Sequence, residues 1–118
     1  MTPPIFLLDE ADDLLMFGSS TRACRFVEAI DVEAGRYALL YDATGTRLAF
    51  TVAWPTKRWR FFSMELVENS PVVIREREGV LSAREELRQL LARKVPGATA
   101  VMSLEECVNR ARGSLKTR

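Results

Sequence analysis

Between residues 47 and 54, Leu48, Phe50, Val52 and Trp54 alternate with Arg47, Ala49, Thr51 and Ala53. A period of two with one apolar face is the pattern of a half-buried antiparallel strand, and it does not suit a helix. Such a strand needs neighbours. Upstream, residues 36–42 read as a strand leading into Ala43-Thr44-Gly45-Thr46, a turn in which Gly45 can take a positive φ. Downstream, Pro55-Thr56-Lys57 breaks the alternation and residues 58–67 return as one strand. Asn69-Ser70-Pro71 marks a second turn, and residues 72–78 form the last strand. The middle of the chain is thus predicted to be a four-stranded meander.

The flanks supply the rest. Ile5 to Leu8 and Leu14 to Phe17 are short apolar runs on either side of Asp9-Glu10-Ala11-Asp12-Asp13, and they predict one or two strands around an acidic turn. Gly18-Ser19-Ser20-Thr21 offers a strand stop and helix caps. Ala23, Phe26, Val27 and Ile30 follow at helical spacing, with Gly35 closing that stretch. Near the C-terminus, Ser82-Ala83-Arg84-Glu85 and Ser103-Leu104-Glu105-Glu106 are both capping-box patterns. Leu87, Leu90 and Leu91 make one apolar helix face; Leu104, Cys107, Val108 and Ala111 make another, with Pro96-Gly97 between. The expected architecture is a single α+β domain over residues 1–118, two-layered, with a mainly antiparallel four- to five-stranded sheet and three helices packed on it.

Composition narrows the function. A chain of 118 residues suits one core. It has no histidine, which removes Ser-His-Asp and Cys-His catalysis and the His-containing zinc sites. Its two cysteines, Cys24 and Cys107, cannot make a Cys₄ site, and they are expected to be buried thiols. No stretch approaches the ~20 apolar residues of a membrane span. The N-terminal apolar run lacks a basic leader, so a cytoplasmic location is expected. Lys plus Arg number 17 against 16 Asp plus Glu, but the balance is a cancellation. Residues 1–35 carry seven acids and two bases, whereas 36–64 carry five bases and one acid. Such an asymmetry either pairs internally or steers a partner. With no recognisable catalytic set, neither enzyme activity nor a cofactor or metal is expected.

Two segments carry the interest. Asp9-Glu10-Ala11-Asp12 spells the helicase tetrad, but only eight residues precede it and no phosphate-binding loop is present, so the match is a coincidence. Nor do the clustered carboxylates sit in the twelve-residue loop of a calcium site. They read either as a solvated turn or as a phosphate-like plug for a basic cleft on a partner. The second segment runs from Trp54 to Phe62, with Lys57, Arg58 and Arg60 among Trp54, Trp59, Phe61 and Phe62. It suits a hairpin core with solvated arginines, a protein contact built from Trp and Arg, or a grip on single-stranded nucleic acid. Strand alternation separates Trp59 and Phe61 from Arg58, Arg60 and Phe62, and the near-zero net charge further disfavours nucleic acid. Glu65, Glu68, Glu76 and Glu78 are a candidate carboxylate set for acid–base work. Arg75 and Arg77 interleave with the last two, so cross-strand charge pairing is the simpler account.

Residues 12–17 (Asp-Asp-Leu-Leu-Met-Phe), 26–37 (Phe-Val-Glu-Ala-Ile-Asp-Val-Glu-Ala-Gly-Arg-Tyr) and 41–48 (Tyr-Asp-Ala-Thr-Gly-Thr-Arg-Leu) together resemble small bacterial immunity proteins, the cognate inhibitors of polymorphic interbacterial toxins. The likeness covers roughly residues 9–50. It consists of an acidic strand start, a helix ending in Glu-x-x-Asp-Val and a Tyr-Asp-x-x-Gly hairpin. It implies a cytoplasmic, non-catalytic protein that binds a toxin effector domain stoichiometrically and blocks its active site. No family catalytic residue is there to carry over. The expected partner contacts are Asp9, Glu10, Asp12 and Asp13 in the acidic turn and Trp54, Arg58, Trp59 and Arg60 in the hairpin. Two alternatives remain open: a small nucleic-acid-binding or regulatory module using the basic hairpin, and a subunit that pairs with a copy of itself.

Overall fold

The computed structural model describes residues 2–27, 39–52, 57–61, 64–68, 72–76 and 83–118. They form β1 (Ile5–Leu8), β2 (Leu14–Phe17), α1 (Ser20–Phe26), β3 (Leu39–Tyr41), β4 (Arg47–Val52), β5 (Lys57–Phe61), β6 (Met64–Glu68), β7 (Val72–Glu76), α2 (Arg84–Lys94) and α3 (Leu104–Ser114). Strands β2, β1, β3, β4 and β7, in that order, make one antiparallel sheet, and β5 pairs with β6 in a second, two-stranded one. The α+β architecture is the one expected, with the sheet at five strands and three helices on it.

The centre of the molecule is β1. All four of its residues are buried, which is why it reads as an unbroken apolar run with no alternation. The pleat sends them to opposite faces, each with partners supplied by register. Phe6 lies beside Met16 and Tyr41, and with Leu8 it packs under Leu87, Leu91, Leu104, Cys107 and Val108 of α2 and α3. Ile5 and Leu7 face the other way, with Phe17, Leu40, Leu48 and, from α1 and its end, Ala23 and Val27. Burying each such side chain contributes about 1.5–3 kcal/mol, so this short strand secures both halves of the core. The helices therefore divide: α2 and α3 cover one face, and the short α1 sits against the other, where it reaches both edge strands, β2 and β7.

Local signals account for several boundaries. Ser19 caps α1, its hydroxyl accepting from the Arg22 N–H at 3.2 Å, and Ser103 caps α3 by the same contact to the Glu106 N–H at 3.2 Å. The apolar faces read for α2 and α3 are the buried ones. At the C-terminus, Arg118 N–H donates to the Met16 carbonyl at 2.9 Å and its own oxygen accepts from Gly18 N–H at 3.2 Å. The tail thus lies parallel beside β2 and covers that edge of the sheet.

Several expectations need correction. Residues 58–67 are not one strand: they fall in β5 and β6, which pair antiparallel with each other. The sequence between these two strands, Phe62-Ser63, contains no glycine, proline or asparagine, so nothing in it marks the end of β5. The meander is also replaced, because β4 pairs with β7 and the β5–β6 hairpin is an excursion between them. The first helix stops at Phe26, with Val27 already extended at φ −94° and ψ 149°. Phe26 of the expected apolar stripe is 44% exposed, while Ala23 and Val27 are buried. Finally, α2 has Ala83 and no side-chain cap at its start. Instead, Ala83 N–H donates to the Gly45 carbonyl at 3.0 Å. Cys107 is a buried free thiol as expected, whereas the free Cys24 is only half-buried. Ile30, Gly35, Trp54, Phe62, Asn69-Ser70-Pro71, Arg77, Glu78 and Ser82 lie outside the described residues.

The contact between Gly45 and α2 is also steric. Gly45 has φ +84°, and a β-carbon there would come 2.5 Å from the Arg84 Cα. Gly97 shares that φ, but a β-carbon would meet only the Arg110 side chain, at 3.7 Å. Gly45→Ala is expected to destabilise the protein by about 2–4 kcal/mol, combining backbone strain with overpacking, and Gly97→Ala by about 1–2 kcal/mol. Urea denaturation of the two variants measures the difference; equal losses would contradict this account of Gly45.

Candidate functional site

The acidic turn between β1 and β2 is an ordered structure. One oxygen of Asp9 accepts from the N–H groups of Ala11 and Asp13, both at 2.9 Å, which is an Asx-type turn. Asp9 N–H also donates to the Asp13 carbonyl at 3.1 Å, and Asp12 takes a left-handed φ of 64°. That conformation is one Asp tolerates better than most residues. Asp12 then reaches α2, where it pairs with Lys94 and lies 3.9 Å from the Arg93 guanidinium. The hydrogen bond from Lys94, with the two nearby cations, holds the Asp12 carboxyl below its usual range in spite of some desolvation. Of the four acids expected to meet a partner, Asp9 therefore orders the turn and Asp12 ties it to the helical layer. Glu10 and Asp13 are exposed and form no ion pair among the described residues.

The second polar centre is a residue that reads in the sequence as an ordinary turn acid. Asp42, at the end of β3, is only 3% exposed. One of its oxygens accepts from the Thr44 N–H at 2.9 Å, the Thr44 hydroxyl at 2.7 Å and the Thr46 N–H at 3.0 Å; the other accepts from the Thr2 N–H at 3.1 Å. Burial alone would raise its pKa, but the Thr44 hydroxyl and the three amides outweigh it, and the group stays below the usual carboxylate range. One carboxylate thus joins the N-terminal segment to the β3–β4 turn, and Gly45 in that turn holds the start of α2.

Beside it, Tyr41 and Arg47 are cross-strand partners on the helical face of the sheet. The Tyr41 hydroxyl donates to Glu86 of α2, Arg47 donates to the same carboxylate at 3.2 Å, and the Arg47 guanidinium lies 5.7 Å from the Tyr41 ring centroid. Burial, followed by the Glu86 bond and charge, pushes the Tyr41 hydroxyl well above its ordinary pKa. It therefore stays protonated and donating near neutrality, which suits a structural tie and not a base or nucleophile. A groove of about 270 Å³ runs along this junction, lined by Leu39, Tyr41, Glu86, Gln89, Leu90 and Arg93.

Among the other expected contacts, Arg58, Trp59 and Arg60 lie on β5. Register sets Lys57 opposite Glu68, Arg60 opposite Glu65, Trp59 opposite Leu66 and Phe61 opposite Met64. Opposite charges at directly facing positions are the favourable arrangement for such pairs. Asp9 to Asp13 and the hairpin belong to different sheets, and the structure does not join them into one site. Among the described residues, no group of three or more His, Cys, Asp or Glu is placed to hold a metal ion, and no helix is long and apolar enough to cross a membrane.

Asp42 makes the acid limb of stability predictable. A folded-state pKa below the unfolded value of about 3.9 gives stability that is present above that value and lost as pH falls through the lowered pKa. Asp42→Asn is expected to cost about 1–3 kcal/mol at neutral pH, because an amide cannot serve as acceptor to all four donors. It should also flatten the fall in stability below about pH 4. Urea melts across pH check both; an unchanged acid limb in the variant would contradict the assignment.

Compared with protein-family models, curated proteins and solved structures, the chain matches none of them.

Proposed function

We propose that this chain is an immunity-type inhibitor, a cytoplasmic protein that binds a cognate toxin effector domain stoichiometrically and blocks its active site. The observation that carries the reading is the construction of the β1–β2 turn. Its backbone is ordered by the Asp9 carboxylate and tied to α2 through Asp12, while Glu10 and Asp13 are left exposed. A pair of carboxylates held ready on a rigid turn loses little conformational freedom on binding, which is what a tight inhibitor needs. Negative charge in that place favours a basic partner surface, such as a cleft that handles phosphates, and it raises the association rate. The partial resemblance over residues 9–50 supports the same reading, since the acidic strand start and the Tyr-Asp-x-x-Gly hairpin are where the polar centres lie.

The basic-hairpin alternative is weakened by register, which faces Lys57 and Arg60 with Glu68 and Glu65.

The test is rescue. Expression with the toxin encoded beside this chain should restore growth and yield a stable one-to-one complex. Replacing Glu10 and Asp13 together by lysine should weaken that complex roughly ten- to hundredfold, mainly through slower association. A toxin that kills equally in its presence would refute the function; a double variant that binds as well as the parent would refute the acidic tip as the contact.

A further inference from the structure

We infer that the outer edge of β2, where the tail of residues 115–118 lies, is a strand-addition site for an extended, basic segment of a partner protein, and that the tail is the strap this segment displaces. The inference goes beyond the inhibitor reading, which needs neither strand addition nor movement of the tail.

Strand β2 ends the five-stranded sheet, with β1 on its inner side and the tail on its outer side. The tail shows what this edge accepts: an extended backbone running parallel to β2. Two main-chain bonds hold it there, from the Arg118 N–H to the Met16 carbonyl at 2.9 Å and from the Gly18 N–H to the Arg118 oxygen at 3.2 Å. Leu115 packs partly on the core and the Arg118 guanidinium lies 5.5 Å from the Phe26 ring centroid, but Lys116, Thr117 and Arg118 are all exposed. Backbone direction alternates along a strand, so Leu14, two residues before Met16, also turns its N–H and carbonyl outward. The tail pairs only at the Met16–Gly18 half of the edge; the Leu14 half has no strand beside it among the described residues. Such an edge is a template for another extended backbone.

Three features define the occupant. A segment longer than the tail reaches Leu14 as well as Met16 and Gly18, and so makes main-chain hydrogen bonds that the tail does not. Hollows flank the tail, one of about 300 Å³ beside Met16, Pro4 and Arg112 and one of about 390 Å³ beside Phe17 and Arg25. Met16 and Phe17 face opposite sides of the sheet, so these hollows suit the alternate side chains of an added strand. At the open end, Asp13 directly precedes Leu14 and is exposed together with Glu10, so a segment entering there meets carboxylates and lysine or arginine is favoured. The tail is itself of this kind, with Lys116 and Arg118 on either side of Thr117.

The experiment titrates the full chain with a fluorescent peptide, Lys-Lys-Thr-Val-Thr-Val-Thr, and follows anisotropy and amide NMR shifts. Binding is expected, with the shifts centred on Leu14, Met16 and Gly18. Arg118→Pro removes the N–H that Met16 accepts and frees the edge, so it should tighten binding about tenfold. Replacing the two peptide lysines by glutamate should weaken binding about tenfold at low salt. Of two peptides N-methylated at alternate residues, only one should bind, because a strand pairs through one side of its backbone. That comparison uses the unaltered protein, and so holds even if the proline variant fails to fold. No binding to the unaltered protein or to a folded Arg118→Pro variant would overturn the inference, as would equal binding to both. Shifts centred on β7, equal binding of the glutamate peptide, or equal behaviour of the two N-methylated peptides would overturn it too. No toxin enters the test, so its failure is distinct from failure of the inhibitor reading.

Discussion

The buried Asp42 carboxylate is the interaction on which the arrangement of the chain depends. It collects donors from Thr2, Thr44 and Thr46, and so fixes the N-terminal segment against the β3–β4 turn. The same turn carries Gly45, whose carbonyl receives the first N–H of the α2 region and whose missing side chain lets Arg84 approach. A carboxylate left in that place without its donors would face a desolvation cost of several kcal/mol, so the donors and the acid require one another. Tyr41 and Arg47, each next to this turn in sequence, then seat Glu86 of α2 on the sheet. Strand β1 provides the apolar counterpart, buried on both faces between the two parts of the core.

That frame explains what is left outside it. At one end of β2, the acidic turn is stiffened by Asp9 and braced by Asp12 against Lys94, and its other two acids face solvent. At the other end, the arginines of α1 and the tail surround Phe26. The acidic turn and the arginines beside Phe26 thus lie at opposite ends of β2, on elements attached to the core. Under the proposed function, such preorganisation of charge would lower the entropic cost of association.

Much of this was legible wherever local patterns decide. The acidic turn between two short strands, the Ser19 and Ser103 caps, the positive φ of Gly45 and the buried faces of α2 and α3 all follow from spacing within a few residues. What was hidden depends on partners distant in sequence. Pairing of β4 with β7 joins residues 20 to 28 positions apart, and no glycine, proline or asparagine in the sequence marks where β5 gives way to β6. The start of α2 is held by Gly45 from across the fold, so the Ser82 pattern misled. Phe26 fits an apolar stripe by periodicity, but the helix ends there, and the tail arginine that covers its ring comes from the far end of the chain. For the site, the sequence showed the acids of the turn but not which of them the fold consumes. That depends on where Lys94 falls.

The most direct test of the Asp42 junction is native-state hydrogen exchange on the free protein. If the junction holds the fold together, the amides of Gly45, Thr46 and Ala83 exchange only on global unfolding, with the same opening free energy as Phe6 and Leu7 of β1. Exchange of Gly45, Thr46 and Ala83 through local opening, orders of magnitude faster than β1, would contradict it and reduce the Asp42 turn to an ordinary surface loop.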